Sequence, residues 1–298
     1  MTFWLFGTND NPAKHRCQKN QQKSTKRQHR PLLHDLQKHP LSMIKRLNPP
    51  LPWLQAGESF PSPETAWNEA DPAPGLLAAG ASLDTETLIN AYTRGIFPWF
   101  SKDQPVLWWS PNPRMVLQCR NFKLHRSLRK TLSRFVADPH SEIRVDHNFD
   151  HVIRACASQS RDGQAGTWIV EEMVEAYSQL HRNGHAHSIE TWVNGRLVGG
   201  LYCVNLGRMV FGESMFCHAT DASKIALAAL VAFCRAHLIA MIDCQQNTQH
   251  LASLGAAEIT RSEFIQHLQK NTHQAAPHWT FLPKYWQQLA PEQPATFQ

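Results

Sequence analysis

No run of apolar residues in this 298-residue chain reaches the roughly eighteen that a membrane-crossing helix needs, so none is expected. There is no C-x-x-C pair. The seven cysteines are odd in number and widely spaced, which argues against a disulfide frame and fits reduced thiols in the cytosol. No internal repeat and no sustained heptad pattern occurs, so a solenoid is excluded and a monomer is expected. Acids are almost missing from the first fifty residues, which hold ten Lys/Arg and two Asp; the remainder holds 20 basic and 22 acidic residues. The net charge of +6 therefore belongs to the leader, and global charge gives no reason to assign nucleic acid to the body. Residues 1–49 read as a basic, disordered leader. Its apolar start is too short for a secretory core and its charges follow rather than precede it. A transit peptide, or a true start at Met43, are the alternatives.

Aromatics and prolines, by contrast, are concentrated in one stretch. Residues 94–114, RGIFPWFSKDQPVLWWSPNPR, hold Phe97, Trp99, Phe100, Trp108 and Trp109 among four prolines. Proline breaks helices and sheet ladders, so mostly irregular backbone is expected. Aromatics on such backbone either stack on flat ligands such as nucleobases or form a proline-stapled plug between domains.

A small module is expected over 50–113, with a helix capped by Asp84, an apolar stripe of Leu88, Ile89 and Tyr92, and a stop at Gly95. The second domain is expected over 114–298. In residues 120–134, Leu124, Leu128 and Leu132 define a buried helical face. Arg126, Arg129, Lys130 and Arg134 lie away from it with no acid in the segment, as phosphate contacts require. A strand near 142–147 and helices over 149–158 and 170–182 follow. Three strands then form a meander, the first two joined by Asn194-Gly195, a type I′ hairpin signal. A helix over 221–237, a strand AMIDCQ and short helices at 249–254 and 262–270 close the domain. The pattern is α+β, or mixed α/β. Its order resembles the acetyltransferase (GNAT-like) fold. The glycine-rich pyrophosphate loop of coenzyme A enzymes is absent, because CHATDASK stands between strand and helix.

Two acids lie in otherwise apolar strands: Glu213 in MVFGESMF and Asp243 in AMIDCQ. A carboxylate there needs a partner or has a function. Strand alternation sides Glu213 with Phe211 and Met215, and Asp243 with Gln245. His185 and His187 share a strand face, but no third ligand stands at metal-site spacing, so no metal is expected. Cys217 and His218 are neighbours whose side chains diverge, and Cys244 reads as a small core residue. Trp168 is either a second stacking platform or a loop anchor.

Several blocks in order resemble one family: GLLAAGASL (75–83), AYTRGIFPWFSKDQPVLWWSPNPR (91–114), GTWI (166–169), LHRNGHAHSIETW (180–192), VGGLY (198–202), FGESMF (211–216), DASKIAL (221–227) and IDCQ with HLASLGAAEI (242–259). On these residues the chain resembles the leucyl/phenylalanyl-tRNA–protein transferases. The resemblance implies transfer of Leu or Phe, less readily Met, from aminoacyl-tRNA to proteins with N-terminal Arg or Lys, creating a degradation signal in the bacterial cytoplasm. It implies a small N-terminal domain, a GNAT-like catalytic domain, and no metal or other cofactor. By position, Asp243 orients or deprotonates the attacking amine, Gln245 relays hydrogen bonds to it, and Glu213 meets the cationic acceptor side chain. Trp99 and Trp168 match the aromatics that hold the terminal adenosine. Leu201, Met215, Leu227, Leu230 and Ile242 match the wall of the amino-acid pocket.

The chain departs from the family pattern at Ala81, Ser82, Asn112, Cys217, Gln246 and Thr248, where Gly, Asp, Asp, Ser, Val and Asn are usual. A non-catalytic tRNA-binding protein and a coenzyme A-dependent acetyltransferase are the alternatives.

Overall fold

The computed structural model describes residues 49–158 and 169–290, so residues 1–48 of the leader and Trp168 lie outside the described residues. Two sheets organise them. The first has four short strands, β1 (Trp53–Leu54), β2 (Leu76–Gly80), β3 (Phe97–Pro98) and β4 (Leu107–Trp109), in the order β1-β2-β4-β3. Helix α1 (Thr85–Thr93) joins β2 to β3. Asp84 caps it as expected, accepting from the Thr87 N–H at 2.8 Å, and Gly95 turns the chain out of it with φ +77.

The aromatic stretch is more regular than its prolines predict. β3 and β4 pair antiparallel, with Phe97 opposite Trp109 and Pro98 opposite Trp108. Pro98 is tolerated because β3 is the edge strand. Trp108 is fully buried, donates its indole N–H to the Gly80 carbonyl at 2.8 Å and meets the Phe60 ring at 4.7 Å. Trp109 donates to the Trp99 carbonyl at 2.7 Å. Trp108 and Trp109 are thus core residues of the small sheet.

The chain enters the second sheet at Arg114. Its strands are β5 (Arg114–Gln118), β6 (Ser141–Val145), β7 (Ala186–Val193), β8 (Arg196–Leu206), β9 (Met209–Cys217), β10 (Met241–Gln245) and β11 (Ala257–Ile259), in the order β11-β5-β10-β9-β8-β7-β6. All neighbours are antiparallel except β9 and β10. Asn194 and Gly195 both take positive φ, as the type I′ turn between β7 and β8 requires. The helices are α2 (Arg126–Ala137), α3 (Phe149–Ser158), α4 (Glu171–Arg182), α5 (Ala222–Ala236), α6 (Gln249–Ser253) and α7 (Arg261–Asn271). This is a mixed α/β fold.

Helix α2 begins at Arg126, later than the leucine spacing predicts. Residues 119–121 form a short 3-10 turn and Leu124 lies outside the helix. Leu128, Leu132 and Phe135 are its buried face.

Helix α5, ASKIALAALVAFCRA, is apolar nearly all round and almost wholly buried, as a helix covered on both sides must be. One side lies on β7, β8 and β9. A Cβ on Gly199 would stand 2.5 Å from the Ala222 Cβ, so the absence of a side chain there lets the first turn of α5 settle on β8. The other side is covered by residues 279–289, with Trp279 on Phe233 at 4.6 Å and Tyr285 on Phe233 at 6.3 Å. The opposite face of the sheet carries α3 and α4: Phe149 and Tyr177 both pack edge-on against Tyr202 of β8. Helix α1 of the small unit reaches the same face, where Tyr92 meets Phe211 of β9 at 4.9 Å.

Candidate active site

The parallel pair at the centre of the sheet holds together over a short distance only. β10 pairs β9 at Ile242–Val210 and Asp243–Phe211, and the ladder ends there. From Gly212 onward β9 continues against β8 alone, and β10 continues against β5. Each strand is bulged where they part. On β9, Glu213 has no opposite residue, since Cys203 faces Gly212 and Tyr202 faces Ser214. On β10, Asp243 faces Val116 and Gln245 faces Met115, which leaves Cys244 as the extra residue. A bulge re-aims the side chains around it.

The first bulge corrects one expectation. Regular alternation places Glu213 on one face with Met215. In the structure Glu213 shares the Tyr92 and Tyr177 side with Phe211. Met215 instead pairs with Leu201, two residues from Gly199 on the α5 side. Val210 and its neighbour Ile242 alternate with Phe211 and Asp243, so they too point toward α5.

The chemistry-bearing residues form one buried chain of contacts. Arg114 grips Asp243 with two bonds, Nε to Oδ1 at 2.8 Å and Nη2 to Oδ2 at 2.7 Å. Its Nη1 donates to the Gly95 carbonyl at 3.2 Å, and its guanidinium lies 4.7 Å from the Phe97 ring and 4.6 Å from the Phe264 ring. Asp243 Oδ1 also accepts the Gln245 backbone N–H at 2.9 Å. That bond holds Gln245 at φ +63, a left-handed conformation that costs a non-glycine residue about 1 kcal/mol or more. Gln245 Nε2 donates to Glu213 Oε1 at 3.0 Å. The Tyr92 hydroxyl donates to the same oxygen at 2.8 Å, and the Tyr177 hydroxyl to Oε2 at 3.4 Å. The two hydroxyls are themselves 2.5 Å apart.

None of these side chains is more than 1% exposed. Burial pushes the Glu213 carboxyl up to about 8; the Tyr92 hydrogen bond opposes the rise and the Asp243 charge adds to it. Both tyrosine hydroxyls are pushed well above their usual range, chiefly by burial and then by the Glu213 charge. Burial thus favours the neutral form of Glu213. Among the described residues, Gln245 Oε1 has no hydrogen-bond partner although it is buried. An acceptor left open inside a satisfied network marks a place for a donor from outside.

The other expected residues fall into three groups. Leu201, Met215, Leu227, Leu230 and Ile242 are all buried, on or facing α5, across the sheet from the carboxyl cluster. Trp99 is only 6% exposed, with its ring 5.2 Å from Trp109. Arg126, Arg129, Lys130 and Arg134 are exposed along α2 and, among the described residues, none of them forms a salt bridge. His187 is committed elsewhere: its Nδ1 lies 2.7 Å from Asp146 and its ring stacks on Trp279 at 4.1 Å.

Sequence reasoning did not place Arg114, Tyr92 or Tyr177 in the site; Tyr92 was read only as part of an apolar helix stripe. The signal for Arg114 was present: RMVLQ is an apolar strand that opens on a cation, and AMIDCQ is an apolar strand that holds an anion. Two buried opposite charges satisfy one another.

Apart from Arg114, the cluster falls inside the segments that match known family models. The family model described as leucyl/phenylalanyl-tRNA protein transferase matches residues 116–269, and that of its N-terminal domain matches 81–112. A leucyl/phenylalanyl-tRNA–protein transferase from Polaromonas sp. (strain JS666) is 70% identical over 244 residues, covering 82% of this chain and 96% of that protein. The chain belongs to the leucyl/phenylalanyl-tRNA–protein transferase family. A member from Albidiferax ferrireducens is 60% identical across 83% of this chain and 98% of its own length. One from Burkholderia pseudomallei is 58% identical across 78% and 91%. Among solved structures, a conserved protein of unknown function from Bacteroides thetaiotaomicron aligns at 14% identity with a TM-score of 0.35, covering 48% of this chain and 53% of that one, too loose a likeness to bear on the fold. By its family the protein is an enzyme, an aminoacyltransferase.

Several departures from the family pattern have local accounts. Asn112 Oδ1 accepts the Arg261 backbone N–H at 3.0 Å, a bond that an Asp oxygen also makes. Thr248 caps α6, accepting from the Leu251 N–H at 3.1 Å, a role Asn also fills. Ala81 stands at φ +59, where glycine is the easier residue. Nothing in the structure explains Gln246.

Proposed function

We propose that this enzyme transfers leucine or phenylalanine, and less readily methionine, from aminoacyl-tRNA to the N-terminal Arg or Lys of a protein. The product carries an N-terminal degradation signal, and the reaction takes place in the bacterial cytoplasm on a monomeric enzyme. The observation that carries this reading is the buried Oε1 of Gln245, unpartnered among the described residues, beside Glu213, where the central ladder ends.

The donor is an ester, already activated, so neither ATP nor an added cofactor is required. The acceptor α-amine has a pKa of about 8, and is neutral often enough to attack once one N–H is held. Gln245 Oε1 accepts that N–H and aims the nitrogen lone pair at the ester carbonyl. Attack forms the C–N bond, and collapse of the tetrahedral intermediate expels the ribose 3′-oxygen, which leaves as the hydroxyl with the proton lost by the amine. Asp243 orients Gln245 through its backbone N–H. Glu213 releases its proton to bulk water as a cationic side chain arrives, forming a charge-assisted pair.

The donor's side chain reaches the α5 side through the gap where β9 and β10 part, and there Leu201, Met215, Leu227, Leu230 and Ile242 supply an apolar wall that favours Leu and Phe; a methylene there discriminates by only about 1–3 kcal/mol, which admits Met. Trp99, with Trp168, holds the terminal adenosine, at about 1–3 kcal/mol per stacked base. Arg126, Arg129, Lys130 and Arg134 meet backbone phosphates. The small unit over 50–113 contributes Trp99 and Tyr92, and residues 114–298 form a GNAT-like catalytic domain.

Labelled leucyl-tRNA mixed with peptides beginning in Arg or Ala tests the reading. Label should enter the Arg peptide alone. Binding of tRNA with no transfer to any peptide, or transfer of label only from acetyl-coenzyme A, would overturn it.

A further inference from the structure

We infer that Arg114 is a positioning residue for the transfer, acting through Asp243 to hold Gln245 in its reactive geometry. The inference rests on the function proposed above. It begins from the way Asp243 is held. Both carboxylate oxygens are engaged by the guanidinium fork, and one of them also receives the Gln245 N–H. With both oxygens engaged by donors from Arg114 and Gln245, Asp243 acts by holding Gln245 in place.

Arg114 is itself immobilised on four sides: by Asp243, by the Gly95 carbonyl, and by the rings of Phe97 and Phe264. These contacts come from β10, the turn after α1, β3 and α7, so the residue joins the small unit to the catalytic sheet. The rigidity passes along the chain. The fork fixes Asp243, Oδ1 of Asp243 fixes the Gln245 backbone at φ +63, and that backbone aims the Gln245 amide at Glu213 with Oε1 left open. Lysine carries the same charge without the fork and leaves one carboxylate oxygen free to rotate. The titratable groups facing Asp243 are Arg114 on β5, Glu213 on β9 and the adjacent Cys244 thiol; Tyr92 on α1 and Tyr177 on α4 reach it only through Glu213.

The test is a double-mutant cycle on transfer from leucyl-tRNA to an Arg peptide, using Arg114→Met, Asp243→Asn and the double variant, with Arg114→Lys beside them. Arg114→Met should lower kcat by about 10- to 100-fold while the KM for leucyl-tRNA stays within about threefold. In the Asp243→Asn background the same substitution should cost less than about twofold, because no carboxylate remains to be held. Arg114→Lys should recover part of the rate. Wild-type kcat in a folded Arg114→Met protein would overturn the inference, as would losses that multiply in the double variant. If Arg114→Met does not fold, Arg114→Lys is compared in the two backgrounds with the same two outcomes. Absence of transfer by the wild-type enzyme would instead remove the proposed function.

Discussion

Replacing Glu213 by Gln should make the protein more stable at high pH and nearly neutral in effect at low pH. Glu213 is 1% exposed, and its carboxyl is pushed from 4.5 up to about 8 by burial. An acid whose pKa is higher in the folded state binds more protons there than when unfolded. Wild-type stability therefore falls as pH rises from about 4.5, where the unfolded chain begins to ionise, and the penalty is complete above about 8. At about 1.4 kcal/mol per tenfold change in proton affinity, the full penalty is on the order of 5 kcal/mol. Gln is isosteric and carries no charge; with its oxygen at the Oε1 position it still accepts from Tyr92 and Gln245, while its NH2 at the Oε2 position donates to the Tyr177 hydroxyl. Urea denaturation of both proteins at pH 5, 7 and 9 measures the difference. Glu213→Gln should match wild type at pH 5 to within about 1 kcal/mol and exceed it by several kcal/mol at pH 9. A difference that does not change with pH would refute the assignment of a neutral, buried Glu213. The same variant should lose its preference for cationic acceptors, since the charge they meet can no longer form.

Two further perturbations probe other parts of the molecule. Reversing Arg126, Arg129 and Lys130 to Glu should weaken tRNA binding and reduce the salt slope by about 2–3, as read from filter binding across a salt series; an unchanged slope would make that face an ordinary solvated surface. Gly199→Ala should destabilise the protein by about 1–3 kcal/mol in urea, because its Cβ would stand 2.5 Å from that of Ala222; a neutral result would mean that α5 can lift from β8 at no cost.

Local signals in the sequence were legible where short-range chemistry decides the outcome. The Asp84 cap, the Asn194-Gly195 turn, the meander, and helices α3, α4 and α5 stand within a residue or two of where periodicity and capping put them. Asp243, Gln245 and Glu213 were findable because carboxylates inside apolar strands are costly, and they do converge. What stayed hidden depends on partners distant in sequence. Arg114 and Asp243 are 129 residues apart. The bulges at Glu213 and Cys244 exist only relative to β8 and β5, so strand alternation misplaced Met215 relative to Glu213. Prolines in the aromatic stretch predicted irregular backbone because edge position, which makes Pro98 acceptable, is not written locally. Residues 279–289 gave no periodic signal, yet their aromatics complete the cover over α5.

The central claim is that Gln245, held by Asp243 beside Glu213, brings the attacking amine to the ester. Single-turnover transfer by Gln245→Ala, measured with leucyl-tRNA affinity on the same protein, tests it most directly. The rate should fall by about 100-fold or more while affinity changes by less than about threefold. Transfer at the wild-type rate by a folded Gln245→Ala enzyme would contradict it.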